Sequence, residues 1–308
     1  MNSIEVRNLT KSYGRQVVLN NLDLEIPKGS IFGLLGPNGA GKTTFIRIVN
    51  QIILADAGEV FLNDHPISRL DISKIGYMPE ERGLYTKMKV GELLIYLAKL
   101  KGMNSRDSKE QIKSLLHEFE IFNWWNRKIE QLSKGMQQKI QFIVAIMHNP
   151  ELIILDEPFT GFDPINTDII TQKILDLNKK GVTFMLSTHR METVEELCTD
   201  IALINKANKL LDGRVLEIKN RFKTGLYEIS FPKSGKQLNS IPGIFEITLL
   251  NEANGTGLNT ATIRLESGKS MNDVIKLIVD SVEIKSINEV IPHIHDIFIS
   301  QVKLMEDE

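Results

Sequence analysis

The most restrictive feature of this chain is a short apolar run that stops abruptly at glycine. Ile31-Phe32-Gly33-Leu34-Leu35 leads straight into Gly36-Pro37-Asn38-Gly39-Ala40-Gly41-Lys42-Thr43-Thr44. A solid apolar run of this length reads as a strand buried on both faces. The glycines let successive backbone N–H groups converge on one anion. The pattern Gly-x-x-x-x-Gly-Lys-Thr adds a positive charge at Lys42 and a hydroxyl at Thr43 able to ligate Mg²⁺. A helix starting at Lys42 contributes the positive end of its dipole. Strand, glycine loop and helix predict a βα unit with a phosphate-sized opening at the strand's C-terminal end.

The neighbouring sequence supports that frame. Ile4–Leu9 and Val17–Ile26 read as strands; in the second, Leu22, Leu24 and Ile26 share a face opposite Asp23 and Glu25. Helical spacing marks Glu92–Lys101, Gln111–Phe119 and Met136–Met147. Solid apolar runs recur at Leu152–Leu155, Val182–Leu186 and Ile201–Ile204. Apolar strands alternating with helices predict a mostly parallel sheet with both faces covered. Asp156-Glu157 follows the first of these runs, and Ser187-Thr188-His189 the second. Beside a phosphate loop, Asp156 is the expected Mg²⁺ ligand. Glu157 is then left to orient or deprotonate an attacking water.

Further motifs fall in a fixed order. Tyr13 precedes the glycine loop, Leu132-Ser133-Lys134-Gly135-Met136-Gln137-Gln138 precedes the acidic strand, and Thr160-Gly161-Phe162-Asp163-Pro164 follows it. Together with the loop, Asp156-Glu157 and His189, these resemble the motif set of ABC-type ATPases over residues 1 to about 220. The fold that this implies is an α/β, P-loop NTPase nucleotide-binding domain: mostly parallel sheet, antiparallel β subdomain and helical subdomain. The implied ligands are ATP and Mg²⁺. Tyr13 would stack on adenine, and Gly36 through Thr44 would cradle the phosphates. Thr43, Asp156 and Glu80 would lie on the Mg²⁺ side. Glu157, His189 and Lys42 would serve the reaction. Asp163 would belong to the nucleotide-binding set, and Ser133 and Gly135 would bind the γ-phosphate of ATP held on a second ATP-binding subunit, taken to be an identical copy. A helix opening at Ser133 suits that role, because its first N–H groups form an anion site.

The chain departs from the family pattern in three places. Lys134 and Met136 alter the usual signature loop, and Thr160 and Phe162 alter the loop after the acidic strand. Glu80 occupies the position normally held by glutamine, within Pro79-Glu80-Glu81-Arg82-Gly83-Leu84-Tyr85. A carboxylate keeps an acceptor for Mg²⁺ and loses the amide donor. Unit charges about 4 Å apart interact by about 4 kcal/mol at an effective dielectric of about 20; attraction to Mg²⁺ and repulsion from a phosphate are both of that order, so the net sign stays open. This run and the Lys-Gly-Met signature resemble an export branch that includes sodium-efflux and drug-export ATPases with a C-terminal accessory domain. That branch implies an integral-membrane permease as partner. It would dock at Glu80–Val90 and the helix Glu92–Lys101, with Leu84, Tyr85, Met88 and Val90 forming an apolar patch.

Composition sets the remaining limits. A chain of 308 residues allows about two domains, expected as 1–222 (helical subdomain about 90–150) and 223–308. The second carries strands at Leu226–Phe231, Phe245–Leu250, Thr260–Leu265 and Glu283–Val290, with helices at Met271–Val279 and His293–Leu304: a small α+β module of βββαβα order. Pro232, Gly235, Pro242, Gly255 and Gly257 punctuate its turns. Lys+Arg 37 against Asp+Glu 39 argues against a nucleic-acid partner. The alternative, a soluble ABC-type ATPase acting on ribosomes or DNA, is disfavoured by that balance and by the absence of sustained heptads. The opening residues show no signal-peptide pattern, and no apolar run reaches the roughly 20 residues of a membrane span. The expected place is therefore cytoplasmic, peripheral on the inner face of the membrane. The single cysteine, Cys198, excludes an intramolecular disulfide and reads as an inert buried thiol. Trp124-Trp125 read as packing of the helical subdomain. His293 and His295 do not share a helix face and predict no metal site.

Overall fold

A computed structural model describes residues 1–81, 83–233, 238–241, 243–251, 257–280 and 282–305. Arg82 and the turn residues Gly235, Pro242 and Gly255 lie outside this set. The chain divides into two compact units, Met1–Val215 with the residues from Gln301 onward, and Leu216–Ser300. The division falls at the start of the helix Val215–Arg221, whereas the composition shift behind the expected boundary falls at its end.

In the first unit, β1 (Asn2–Tyr13) and β2 (Gln16–Pro27) form a long hairpin, and β3 (Ile31–Leu35) runs into α1 (Lys42–Val49). β4 (Ala57–Leu62) and β5 (His65–Pro66) complete an antiparallel sheet of order β2-β1-β4-β5. After a 3-10 turn come β6 (Ile75–Met78), then α2 (Val90–Leu100), α3 (Ser105–Glu118) and α4 (Lys134–Ile146) of the helical subdomain. β7 (Leu152–Asp156), α5 (Pro164–Lys179), β8 (Thr183–Ser187), α6 (Met191–Leu197), β9 (Asp200–Asn205) and β10 (Asn208–Arg214) close the unit.

The second sheet has the order β10-β9-β3-β8-β7-β6, parallel except for the edge hairpin β9–β10. Every residue of β3, β7 and β8 is buried, including the polar Asp156, Thr183 and Ser187 at the strand ends, as the apolar runs between them require. Leu19, Leu22 and Leu24 of β2 pack with Leu34, Phe45, Ile154 and Met185 in one core that joins the two sheets. β6 passes so close beneath α4 that a Cβ at Gly76 would lie 2.0 Å from the Ala145 carbonyl oxygen.

The end of α2 is pinned to the start of β6. Lys101 Nζ donates to the carbonyls of Ile72 and Ile75, both at 2.8 Å, and His148 Nε2 lies 3.1 Å from the same Ile75 oxygen. Burial pushes the Lys101 ammonium down to about 8. Trp125 covers the first turn of α2, its ring 2.4 Å from where a Cβ on Gly91 would stand. The expected patch of Leu84, Tyr85, Met88 and Val90 needs one correction. Val90 is fully buried at the start of α2, and its N–H donates to Arg127 O at 2.9 Å. The exposed aromatic beside Tyr85 is Tyr96, edge-on at 5.8 Å between ring centroids.

The second unit begins in α7 (Val215–Arg221) and holds β11 (Leu226–Pro232), β12 (Phe245–Asn251), β13 (Leu258–Leu265), α8 (Met271–Ile278), β14 (Ser286–Glu289) and most of α9 (Ile294–Leu304). Its sheet has the order β12-β13-β11-β14 and is antiparallel throughout, with the expected βββαβα order. Ile229, Phe231, Phe245, Ala261 and Ile263 alternate onto the face that packs with Val274 and Ile278 of α8. Ser270 caps α8, accepting from Asp273 N, while the Asp273 carboxylate accepts from Ser270 N.

Candidate nucleotide site

The parallel strands β3, β6, β7 and β8 release their chains at the same edge of the sheet, so the residues after them converge. In register, Met78 lies beside Leu155, and Asp156 beside Ser187. The result is a cavity of about 310 Å³ that gathers Asn38, Gly39, Gly41, Lys42, Thr43, Thr44, Glu80, Asp156, Glu157 and His189. Gly36, Pro37 and Ala40 do not line it; they form the back of the loop. Gly36 has no room for a side chain, since a Cβ there would meet Ile204 O at 2.1 Å. Gly41 has φ 112, left-handed backbone that other residues adopt only with strain, and Val18 O lies 2.5 Å from its Cβ position.

Lys42 is buried, and its ammonium donates to Gly36 O at 2.8 Å and Pro37 O at 3.1 Å. Burial lowers its pKa, against the opposing charges of Glu157, Asp156 and Glu80. Asp156 is displaced the other way. Burial raises its carboxyl, and the charges of Glu80 and Glu157 push in the same direction. Glu157 is also buried. Its backbone is left-handed at φ 51, and its N–H donates to Ser187 O at 2.9 Å. Such a conformation costs about 1–3 kcal/mol in a residue other than glycine and is held by the surrounding structure. Here it turns the Glu157 carboxylate toward His189, whose Nδ1 lies 2.7 Å from Oε1.

The other expected site residues stand apart from the cavity. Tyr13 is exposed at the end of the β1–β2 hairpin, with Lys11 Nζ 5.7 Å above its ring. Ser133 is the exposed N-cap of α4, its hydroxyl accepting from Met136 N at 3.3 Å. Asp163 caps α5, accepting from Asn166 N at 2.9 Å, ahead of Pro164 at the first helical position. Gly135 faces the Gly161 carbonyl, whose oxygen is 3.4 Å from a Cβ placed on Gly135.

Four contributors escaped the sequence reading. Val18 and Ser187 line the cavity. Ser187 opens the Ser-Thr-His run after an apolar strand, where serine alone signals no role, and Val18 carries no chemical signal. Gln138 and Gln141, both buried in α4, hold the loops that bear the acids. Gln138 Nε2 donates to Pro158 O at 3.1 Å, and Gln141 Nε2 to Glu81 O at 3.3 Å. A polar Gln141 among Ile140, Phe142 and Ile143 was the available sign.

The residues present suit Mg²⁺. Thr43, Asp156 and Glu80 offer hard oxygen donors around one cavity, and a dication would offset the crowding of charge that raises Asp156. Among the described residues, no three His, Cys, Asp or Glu side chains are grouped to hold an ion by themselves. Mg²⁺ commonly takes its other ligands from phosphate oxygens and water.

The ABC transporter family matches residues 19–160, and the C-terminal domain of DrrA1-3-like ATP-binding proteins matches residues 213–302. The uncharacterized ABC transporter ATP-binding protein YhaQ of Bacillus subtilis is 38% identical over 299 residues, covering 97% of this chain and 98% of that one. The linearmycin resistance ATP-binding protein LnrL of Bacillus subtilis is 32% identical, covering 71% of each chain. A solved ATP-binding subunit of an ABC transporter is 27% identical with a TM-score of 0.67, over 71% of this chain and 92% of that one. The chain belongs to the ABC transporter ATP-binding proteins, a family of ATPases, and carries a DrrA-like C-terminal domain. Among the described residues, no helix is long and apolar enough to cross a membrane.

Proposed function

We propose that this chain is the energy-coupling subunit of an exporter. It closes into a dimer on ATP and works from the inner face of the membrane through a separate permease. The observation that carries the reading is the Glu157–His189 pair, set in one cavity with the glycine loop and Lys42, while the helix cap at Ser133 stands outside it. A single chain thus holds a hydrolytic centre and, elsewhere on its surface, an anion-binding helix start with no phosphate loop facing it. Two copies related by a two-fold axis would bring each Ser133 to the other's triphosphate, an isologous arrangement.

In the mechanism, Lys42 exchanges the Gly36 and Pro37 carbonyls for phosphate oxygens of bound ATP and stabilises charge developing there. Thr43, Asp156 and Glu80 would hold Mg²⁺, which supplies further charge neutralisation at the phosphates. Glu157 accepts a proton from water as the water oxygen bonds to the γ-phosphorus and the bond to the ADP oxygen breaks. The His189 Nδ1–H, assigned from the 2.7 Å contact, donates a hydrogen bond to Glu157 Oε1 and so orients that carboxylate, which stays ionised to take the proton of water. Export rather than uptake is supported by relatives such as the Nod factor export ATP-binding protein I of Sinorhizobium fredii. The exposed Tyr85–Tyr96 pair suits a permease contact.

The test is light scattering on Glu157→Gln with and without ATP. ATP-dependent doubling of mass is the expected result; a monomer under both conditions refutes the dimeric reading.

A further inference from the structure

The nucleotide cavity has an acidic balance for a site that admits a triphosphate. Glu80, Asp156 and Glu157 line it, and among the described residues Lys42 is the one lysine or arginine that does so. The Lys42 ammonium is moreover already engaged by the Gly36 and Pro37 carbonyls. Three carboxylates around one lysine repel an approaching polyanion at close range, where charges are poorly screened. A dication travelling with the triphosphate turns the same carboxylates into ligands. A neutral amide at position 80 would remove one of the three charges and keep an oxygen acceptor.

The segment carrying Glu80 is held in place. Gln141, buried in α4, donates to the carbonyl of Glu81 at 3.3 Å. Three residues earlier on that helix, Gln138 donates to Pro158, the residue after Glu157. One helix therefore holds the loops of both acids through two side-chain amides.

We propose that Glu80 makes nucleotide binding conditional on a divalent cation, and that Gln141 is the residue that positions Glu80 to do so. This rests on the nucleotide site described above.

The experiment is fluorescence titration of the full chain with N-methylanthraniloyl-ATP, once in excess Mg²⁺ and once in EDTA. The ratio of the two dissociation constants is the readout. The parent is expected to bind the magnesium form more than about tenfold better. Glu80→Gln should bring the ratio within about threefold, chiefly by tightening metal-free binding. Gln141→Leu should move the ratio the same way, whereas a merely structural role would weaken both constants equally. Glu80 is exposed, so its substitution leaves the core intact and that arm stands whatever Gln141→Leu does to folding. A ratio unchanged in Glu80→Gln, or both constants weakened by one factor, overturns the proposal. A parent that binds equally well in both conditions also overturns it and leaves the nucleotide site standing. A parent that binds under neither condition overturns both.

Discussion

His189 Nδ1 stands 2.7 Å from Glu157 Oε1, and the two residues leave adjacent parallel strands, β7 and β8. Residues far apart in sequence are thereby placed in hydrogen-bond contact at one edge of the sheet. The contact orients a buried carboxylate whose backbone is already forced into the left-handed region.

Glu157→Gln keeps the shape of the side chain and removes its capacity to take a proton. ATP turnover should fall by about 10²–10⁴-fold with nucleotide affinity retained. His189→Ala should lower turnover less, since it removes orientation rather than the acceptor. Phosphate release and nucleotide titration measure both. Parent-rate hydrolysis in Glu157→Gln would remove Glu157 from the chemistry.

If Ser133 serves the opposite subunit, two dead variants should rescue each other. Lys42→Met and Ser133→Arg homodimers should each be inactive. A mixed dimer contains one site with both defects and one with neither. Mixing the purified variants should restore phosphate release, and no recovery at any mixing ratio would show that Ser133 does not act across a dimer.

The Asp71 cluster predicts a pH dependence of stability. Burial opposes ionisation of Asp71, but hydrogen bonds from His65, Lys74 and Ser68 outweigh it and hold the carboxyl below its usual range. The ionised form therefore favours the fold, a contribution complete above about pH 4 and lost as pH falls. His65 is raised by its hydrogen bond to Asp71, with Asn63 assisting, so its contribution is complete below about pH 6.5 and fades at higher pH. Asp71→Asn should lower the melting temperature most between about pH 4 and 6.5, and the gap should narrow in stronger acid. Thermal melts across that range check it; a gap independent of pH would mean that the ionised cluster is not the cause.

Gly76→Ala tests the close passage of β6 beneath α4. The added methyl would stand 2.0 Å from the Ala145 carbonyl oxygen, and backbone must move to admit it. A loss of about 1–3 kcal/mol or more is expected from urea unfolding. Gly83→Ala, which meets nothing within 4 Å, is the control and should be near neutral.

The sheet core and the phosphate loop were legible because local chemistry over-determines them. Solid apolar runs such as Leu152–Leu155 have nowhere to go but a covered sheet, and Gly36 to Thr44 carries its function in its spacing. Val90 misled for a related reason. Its apolarity fits a docking patch as well as a helix start, and only the packing of α2 beneath Trp125 decides between them. Gln138 and Gln141 were hard to interpret because a buried amide declares its partner only when a distant carbonyl arrives beside it.

The sequence by itself thus determined the strand–loop–helix unit, the acids at the strand ends and the order of elements in the C-terminal unit, since each follows from residue spacing within a few turns of chain. Tertiary structure alone decided that Glu80, Asp156, Glu157 and His189 share one cavity with Lys42. It also decided that Ser133 and Asp163 do not line that cavity. The reason is physical: parallel strands bring together residues that are distant in sequence, and strand register is fixed by packing across the sheet rather than by any local signal.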